Sequence, residues 1–281
     1  MKYLIFGKGW IGSILGERLN EEVVFAKSNL LDYQGMVKEI RENSPDVVVS
    51  TAGRTGNPTV DWCETHKFET VSANTVGNFN LGQACFQENA YFVYVGTGCM
   101  YQGDNNGKGF SETDEPNFSG NQFYSYTKIW CQKLLERFPN TLQLRMRMPY
   151  DWKPLYPKNL IDKLASYKKL IVEENSITSV DDLIAALKFL VARKETGIYN
   201  VLNKGSINWR QFMDYYHELV DPNHQCEFIS LEELYSFTIS ERTNCVLSVD
   251  KLESKGFKMR TVEEAMKDTL KKYAIEKAKL N

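Results

Sequence analysis

Short apolar runs along this chain alternate with longer stretches in which apolar residues recur every three to four positions. Lys2–Phe6, Val23–Ala26, Asp46–Ser50, the run from Tyr91 to Thr97 and Leu142–Arg147 read as strands buried on both faces. Between them, Ile14, Leu15 and Leu19, then Tyr33 to Asn43, then the stretch ending at Asn74, then Val76 to Glu88 read as helices. This regular alternation predicts an α/β fold with a parallel, doubly wound sheet of the Rossmann type. After Pro149 the pattern loosens. Asn159–Lys168 and Val180–Lys194 read as helices, the second capped by Ser179, and Gly197–Val201 reads as a strand. Helices near Trp209–Val220, Leu231–Tyr235 and Val262–Tyr273 follow in a more mixed pattern. The expected organisation is a nucleotide-binding domain over 1–150, to which 176–204 returns, and a smaller carboxyl-terminal α/β lobe from 151–175 and 205–281.

Composition narrows the partners. The chain has 281 residues, 42% hydrophobic, with 34 basic against 36 acidic side chains. A net charge of -2 offers no electrostatic basis for nucleic acid or an anionic membrane. No apolar run approaches the ~20 residues a membrane span needs. A strand beginning at Lys2 leaves no room for a leader, so a cytoplasmic protein is expected. The six cysteines are scattered without a C-x-x-C pair, and the three histidines lie far apart, so no metal site is expected.

Two groups of residues carry candidate chemistry. The first is Gly7-Lys8-Gly9-Trp10-Ile11-Gly12, between a strand and a helix, the context in which G-x-G-x-x-G binds a dinucleotide. Gly7 permits the turn, Gly9 lets backbone approach a pyrophosphate, and Gly12 lets helix and strand pack closely. An acidic residue usually ends the second strand of an NAD site. Here Lys27-Ser28-Asn29 stands instead, and an ammonium and a hydroxyl suit the 2′-phosphate of NADP(H). The small residues Thr51, Ala52 and Gly53 leave room for cofactor across the third strand. The second group is Thr97 at a strand end with Tyr124 and Lys128, four apart on one helical face. A phenol whose anion is stabilised by an ammonium, with a hydroxyl to hold a carbonyl oxygen, would protonate that oxygen as hydride reaches carbon.

These motifs, in this order and spacing, resemble the extended short-chain dehydrogenase/reductase family over nearly the whole chain. The strings Gly56–Glu64 (containing Asp61-Trp62-Cys63-Glu64), Thr97-Gly98-Cys99, Phe123-Tyr124-Ser125 and Arg145–Pro149 are similar to a narrower group. Its members are the UDP-4-keto-6-deoxyglucose 3,5-epimerase/4-reductases that make UDP-L-rhamnose. The chain departs from them at Arg54 and in the insertion Gln102–Gly109. The resemblance implies one site for two reactions. A C4 ketone acidifies the protons at C3 and C5, so one acid/base pair could invert both centres before NADPH reduces C4. Thr97, Cys99, Tyr124, Lys128 and Lys163 are the implied catalytic residues. Cys99 is the acid, and Lys163 the partner base, since no histidine lies near the position that serves this role in the related GDP-fucose synthase. Asn74 and Met148 join the glycine turn, Lys27–Asn29, Thr51–Gly53, Tyr124 and Lys128 as implied cofactor contacts. Thr55, Gly98, Met100, Asn159, Arg242 and Asn244 join Cys99 and Lys163 as implied contacts to a UDP-sugar, with Arg242 on the diphosphate. A homodimer, working after a nucleotide-glucose 4,6-dehydratase, is the implied assembly. A plain 4-ketosugar reductase would need no Cys99, and a non-catalytic NADP-binding regulatory subunit would need no proton relay.

Overall fold

The computed structural model describes residues 1–57 and 59–280, so Pro58 of the Gly56–Glu64 string lies outside the described residues. The chain opens with β1 (Lys2–Phe6), α1 (Trp10–Arg18), β2 (Glu22–Phe25), α2 (Tyr33–Asn43) and β3 (Val47–Ser50). Two short helices follow, α3 (Trp62–Thr65) and α4 (Lys67–Val71). A π-helical turn, Ser72–Val76, leads from them into α5 (Gly77–Gln87). Then come β4 (Phe92–Thr97), α6 (Phe123–Leu135) and β5 (Thr141–Met146). The remainder is β6 (Pro149–Tyr150), α7 (Leu160–Ser166), β7 (Lys169–Ile171), β8 (Thr178–Ser179), α8 (Val180–Ala192) and β9 (Gly197–Asn200). It ends in α9 (Trp209–Leu219), β10 (Glu227–Ile229), α10 (Leu231–Tyr235), α11 (Asp250–Ser254) and α12 (Val262–Ala278).

Six strands form one parallel sheet in the order β2-β1-β3-β4-β5-β9. Strand alternation splits its side chains between two cores. Tyr3, Ile5, Val47, Val49, Val93 and Val95 pack with α1 and α8 on one face, and Leu4, Phe6, Val48, Phe92 and Tyr94 pack with α2, α5 and α6 on the other. This is the doubly wound parallel architecture the hydrophobic pattern predicts. A third core, built from α7, α9 and α12 around Trp209, Phe212, Tyr216 and Met266, belongs to the smaller lobe. Two parallel pairs, β6-β8 and β7-β10, accompany it. Cys245, Leu247, Val249, Leu252 and Met259, late in the chain, pack with the large sheet rather than with the lobe.

Several boundaries differ from the sequence reading. The helix begun at Leu160 stops at Ser166, and Lys169–Ile171 turns into a strand that pairs with Glu227–Ile229. Strands of two or three residues have no readable period. Ser179 stands immediately before α8, but its hydroxyl makes no cap; its N–H donates to Asn203 Oδ1.

The glycine turn makes a direct test of the packing. A Cβ on Gly12 would lie 2.0 Å from the Gly7 carbonyl oxygen and 2.7 Å from Thr51 Oγ1, whereas one on Gly9 would meet nothing within 4 Å. Gly12→Ala is therefore expected to lower unfolding free energy in urea by about 1–3 kcal/mol through overpacking. Gly9→Ala is expected to cost less than about 1 kcal/mol. Equal losses would contradict this account of the turn.

Candidate active site

A cleft of about 770 Å³ runs between the carboxyl ends of the sheet strands and the smaller lobe. Its floor is built by sheet polarity, because each parallel strand delivers its last residues to the same edge. Gly9, Trp10 and Ile11 follow β1, Thr51, Ala52 and Gly53 follow β3, and Thr97 ends β4, all lining the cleft. Gly9 precedes α1 without a side-chain cap, so the first N–H groups of that helix remain free to donate. A Cβ on Gly9 would enter open space, and a Cβ on Gly53 would come within 4.0 Å of the Lys128 ammonium. Lys128 is 5% exposed, and its ammonium lies over the Tyr94 ring, 4.6 Å from its centroid. The ammonium makes no hydrogen bond among the described residues. Free backbone donors at one end and a partnerless buried cation at the other fit a dinucleotide.

Tyr124 and Thr97 face the middle of the cleft. Burial pushes the Tyr124 phenol well up, Cys99 adds to the rise, and the Thr97 hydroxyl and the Arg147 charge pull part of it back. The sequence reading expected Lys128 to stabilise the phenolate. In the structure the Lys128 ammonium lies over Tyr94 and near Gly53, and Arg147 is a second cation that acts on the phenol. A phenol held neutral is a donor before it is an anion, which suits protonation of an oxygen. Lys128 is itself lowered, chiefly by burial.

Cys99 is half-buried and lines the cleft. Arg147 Nη1 donates to its Sγ across 3.1 Å, and the Cys99 N–H donates to Thr97 Oγ1 at 3.1 Å. Lys163, on α7, faces the same space. Burial lowers its pKa first, neighbouring Lys158 lowers it further, and Cys99 is close enough to oppose both. Thr97, Cys99, Tyr124, Lys128 and Lys163 therefore share one cavity, although they come from three separate segments.

Other sequence candidates divide. Thr55, Asn74, Met148 and Asn244 line the cleft. Met148 does so with a positive φ of 42°, strained for a non-glycine residue. Asn244 is buried and its Nδ2 lacks a partner. The Asn74 amide is used internally: Oδ1 accepts from Arg54 N–H at 2.7 Å, and Nδ2 donates to Arg54 O and Thr127 Oγ1. The π-helical turn carrying Asn74 makes this bracket possible. Asn159 is no substrate contact. It is fully buried, and its amide caps α7 and ties down the backbone of Asp151 and Lys153. Met100 lies in the sheet core rather than the cleft, and Gly98 packs under Leu247. At the end of β2, both backbone N–H groups of Lys27 and Ser28 and the Ser28 hydroxyl donate to the Glu39 carboxylate at 2.8–3.0 Å. A carboxylate thus stands there after all, supplied by α2; Lys27 extends into solvent, and Asn29 bonds only its own turn.

Arg242 lines the cleft but is not free for a diphosphate. Nη1 and Nη2 pair with the two oxygens of Asp61 at 2.9 and 3.1 Å. Asp61 also accepts from the Ser240 N–H and hydroxyl. Three residues on, Glu64 accepts the Phe123 N–H at 2.6 Å and so caps the helix that carries Tyr124. The Asp61–Glu64 string joins the Tyr124 helix to the smaller lobe. Arg147 and these bridging roles were missed from sequence. Two arginines at alternate positions of a buried strand, Arg145 and Arg147, were the available signal, since a charge there must face a polar interior.

Residues 1–275 match the family model described as RmlD substrate binding domain. The chain belongs to that family. It is an extended short-chain dehydrogenase/reductase, and an enzyme of the dTDP/UDP-4-dehydrorhamnose reductase group. A bifunctional dTDP-4-dehydrorhamnose 3,5-epimerase/dTDP-4-dehydrorhamnose reductase of Arabidopsis thaliana is 34% identical over 273 residues, covering 94% of this chain and 90% of that protein. A trifunctional UDP-glucose 4,6-dehydratase/UDP-4-keto-6-deoxy-D-glucose 3,5-epimerase/UDP-4-keto-L-rhamnose-reductase of the same plant is 33% identical, over 95% of this chain but 41% of that protein. The crystal structure of the L780 UDP-rhamnose synthase of Acanthamoeba polyphaga mimivirus has a TM-score of 0.92 at 34% identity, over 97% of this chain and 99% of that one. No helix of the described residues is long and apolar enough to cross a membrane, and no cluster of three or more His, Cys, Asp or Glu among them could hold a metal.

The Asp61 clasp predicts an acid-sensitive term. Burial alone would raise this carboxyl, but Arg242 and Ser240 hold it well below the usual carboxylate range. A depressed folded-state pKa contributes stability above the unfolded aspartate value of about 3.9 and loses it as pH falls through the folded value. Asp61→Asn should cost about 1–3 kcal/mol at pH 7, and the loss should shrink in urea titrations as pH is lowered below about 4. A loss independent of pH would contradict the pairing.

Proposed function

We propose that this protein converts UDP-4-keto-6-deoxyglucose to UDP-L-rhamnose with NADPH, epimerising C3 and C5 and then reducing C4 in one cleft. The observation that carries the reading is the presence of Cys99 and Lys163 beside Thr97 and Tyr124. Reduction alone has no use for a thiol and an amine flanking the reacting centre. The activities named for the Arabidopsis and mimivirus relatives support the same reading.

The residues present suit NADPH. Gly7, Gly9 and the α1 amino terminus would hold the pyrophosphate, Thr51–Gly53 would leave room for the dinucleotide, and Lys128 would meet the ribose next to the nicotinamide. When bound, the nicotinamide supplies the hydride for C4. The preference for the phosphorylated form rests on the Lys27 ammonium, because Glu39 holds the neighbouring donors. The chain's own groups do the rest. Thr97 and Tyr124 hold the C4 oxygen and stabilise the negative charge that develops there as a neighbouring carbon loses its proton. Lys163 removes that proton as the neutral amine, and its lowered pKa raises the neutral fraction. Cys99 returns a proton to the opposite face of the same carbon. With both centres inverted, Tyr124 protonates the C4 oxygen as the ketone is reduced. We further propose a homodimer acting after a nucleotide-glucose 4,6-dehydratase.

Tyr124→Phe should lower NADPH oxidation by about 10²–10⁴-fold while leaving NADPH binding intact. Cys99→Ser should abolish L-rhamnose formation yet still consume NADPH slowly, as the unepimerised ketone is reduced. L-rhamnose made at the normal rate by Cys99→Ser would refute the assignment. In the unmodified protein, epimerisation should first rise with pH, below the ordinary lysine pKa of about 10.4, as Lys163 deprotonates. Lys163→Met should remove that rise.

A further inference from the structure

Arg147 is 1% exposed, so its guanidinium is a fully buried charge. Among the described residues it has no carboxylate partner. Nη1 donates to Cys99 Sγ at 3.1 Å and to Thr243 Oγ1 at 3.2 Å, and Nη2 donates to Asn175 Oδ1 and to the Thr243 carbonyl. Nε has no acceptor among the described residues. Every partner is neutral. Burying an ion among neutral groups is costly, so its retention here calls for a role. The other buried arginine of the same segment offers a contrast. Arg145 donates to Gln132 and Ser111, lies over Tyr101, and has Glu112 and Glu136 near enough to act on it. Arg147 meets the thiol of Cys99, which lines the cleft.

We propose that Arg147 is the positioning residue for Cys99 and the counter-charge for its proton transfer. The proposal rests on the epimerase reading above. By donating to Sγ, the guanidinium occupies a sulfur lone pair, so the S–H must point elsewhere, and the cleft is the open direction. When the S–H bond breaks, the proton goes to the substrate carbon and the electron pair stays on sulfur. That thiolate then faces a guanidinium in a dry site, where the attraction is strong. Lys163 then gives the proton it took to water and the thiolate takes one from water, so the residues are restored and hydrogen from solvent ends on the carbon. Asn175 and Thr243 hold the guanidinium in place, which fixes the sulfur in turn. Asn175 also donates to Asn244 Oδ1 at 3.2 Å, which ties this anchor to the amide whose Nδ2 is left free at the cleft wall.

The test uses the full chain with Arg147→Met and Arg147→Lys. The first readout needs neither cofactor nor substrate: the rate at which iodoacetamide alkylates Cys99 at pH 7.5, followed by peptide mass spectrometry. Loss of the counter-charge should slow alkylation of Cys99 at least about tenfold in Arg147→Met. A merely structural role predicts the reverse, since a loosened site exposes the thiol and speeds alkylation. Arg147→Lys should restore most of the rate. The second readout is the split between reactions. Arg147→Met should lower solvent-deuterium incorporation at least about 100-fold, while reduction of the already epimerised ketone falls less than about tenfold. Unchanged or faster alkylation in Arg147→Met, or equal loss of both reactions, would overturn the proposal. If the unmodified protein incorporates no deuterium, the epimerase reading falls, and the alkylation rates still decide whether Arg147 governs Cys99.

Discussion

The site depends on one constraint, the common polarity of the parallel sheet. Because neighbouring strands run the same way and in register, their carboxyl ends finish at one edge. Thr97 pairs with Met146, and Phe6 with Ser50, so the residues that follow β1, β3, β4 and β5 emerge side by side. Gly9, Thr51 and Thr97 are far apart in sequence and line one cleft for that reason, and Arg147, just past β5, reaches Cys99 beside them. The backbone ladder sets their spacing, and the two apolar layers beneath it keep the ladder from shifting.

The opposite wall has only the short β7-β10 ladder among the described residues and is held to the sheet side by polar bridges. Asp61 pairs with Arg242 and Ser240 in the smaller lobe, and Glu64, three residues on, caps the Tyr124 helix. Asn74 brackets the Arg54 peptide at the start of the same loop. A loop rich in turn formers is fixed at three points. The same side chains that shape the cleft therefore also link Tyr124 on α6 to the smaller lobe.

How much of this was legible depended on range. Gly7, Gly9 and Gly12 could be read because strand, turn and helix are contiguous, and the clashes a Cβ would make at Gly7 and Gly12 involve atoms of the neighbouring strand end. Strand alternation gave the sheet. The pairing of Arg242 with Asp61, 181 residues away, leaves no local trace, so the arginine looked available for phosphate. Asn159 looked like a polar contact because an internal cap and a ligand-binding amide have the same spelling. Glu39 reaches back from α2 to the end of β2, a contact no strand pattern reveals. Arg147 was visible as a charge in a strand, but its meeting with Cys99 appears only when β4 and β5 lie side by side.

The central claim is that one cleft moves protons at carbon as well as reducing a ketone. The most direct measurement is to incubate the unmodified protein with UDP-4-keto-6-deoxyglucose and NADPH in deuterated water and to analyse the sugar by NMR. The account predicts L-rhamnose with deuterium at both C3 and C5 and none delivered by solvent at C4. A 6-deoxyhexose reduced at C4 but still protonated at C3 and C5 would contradict it.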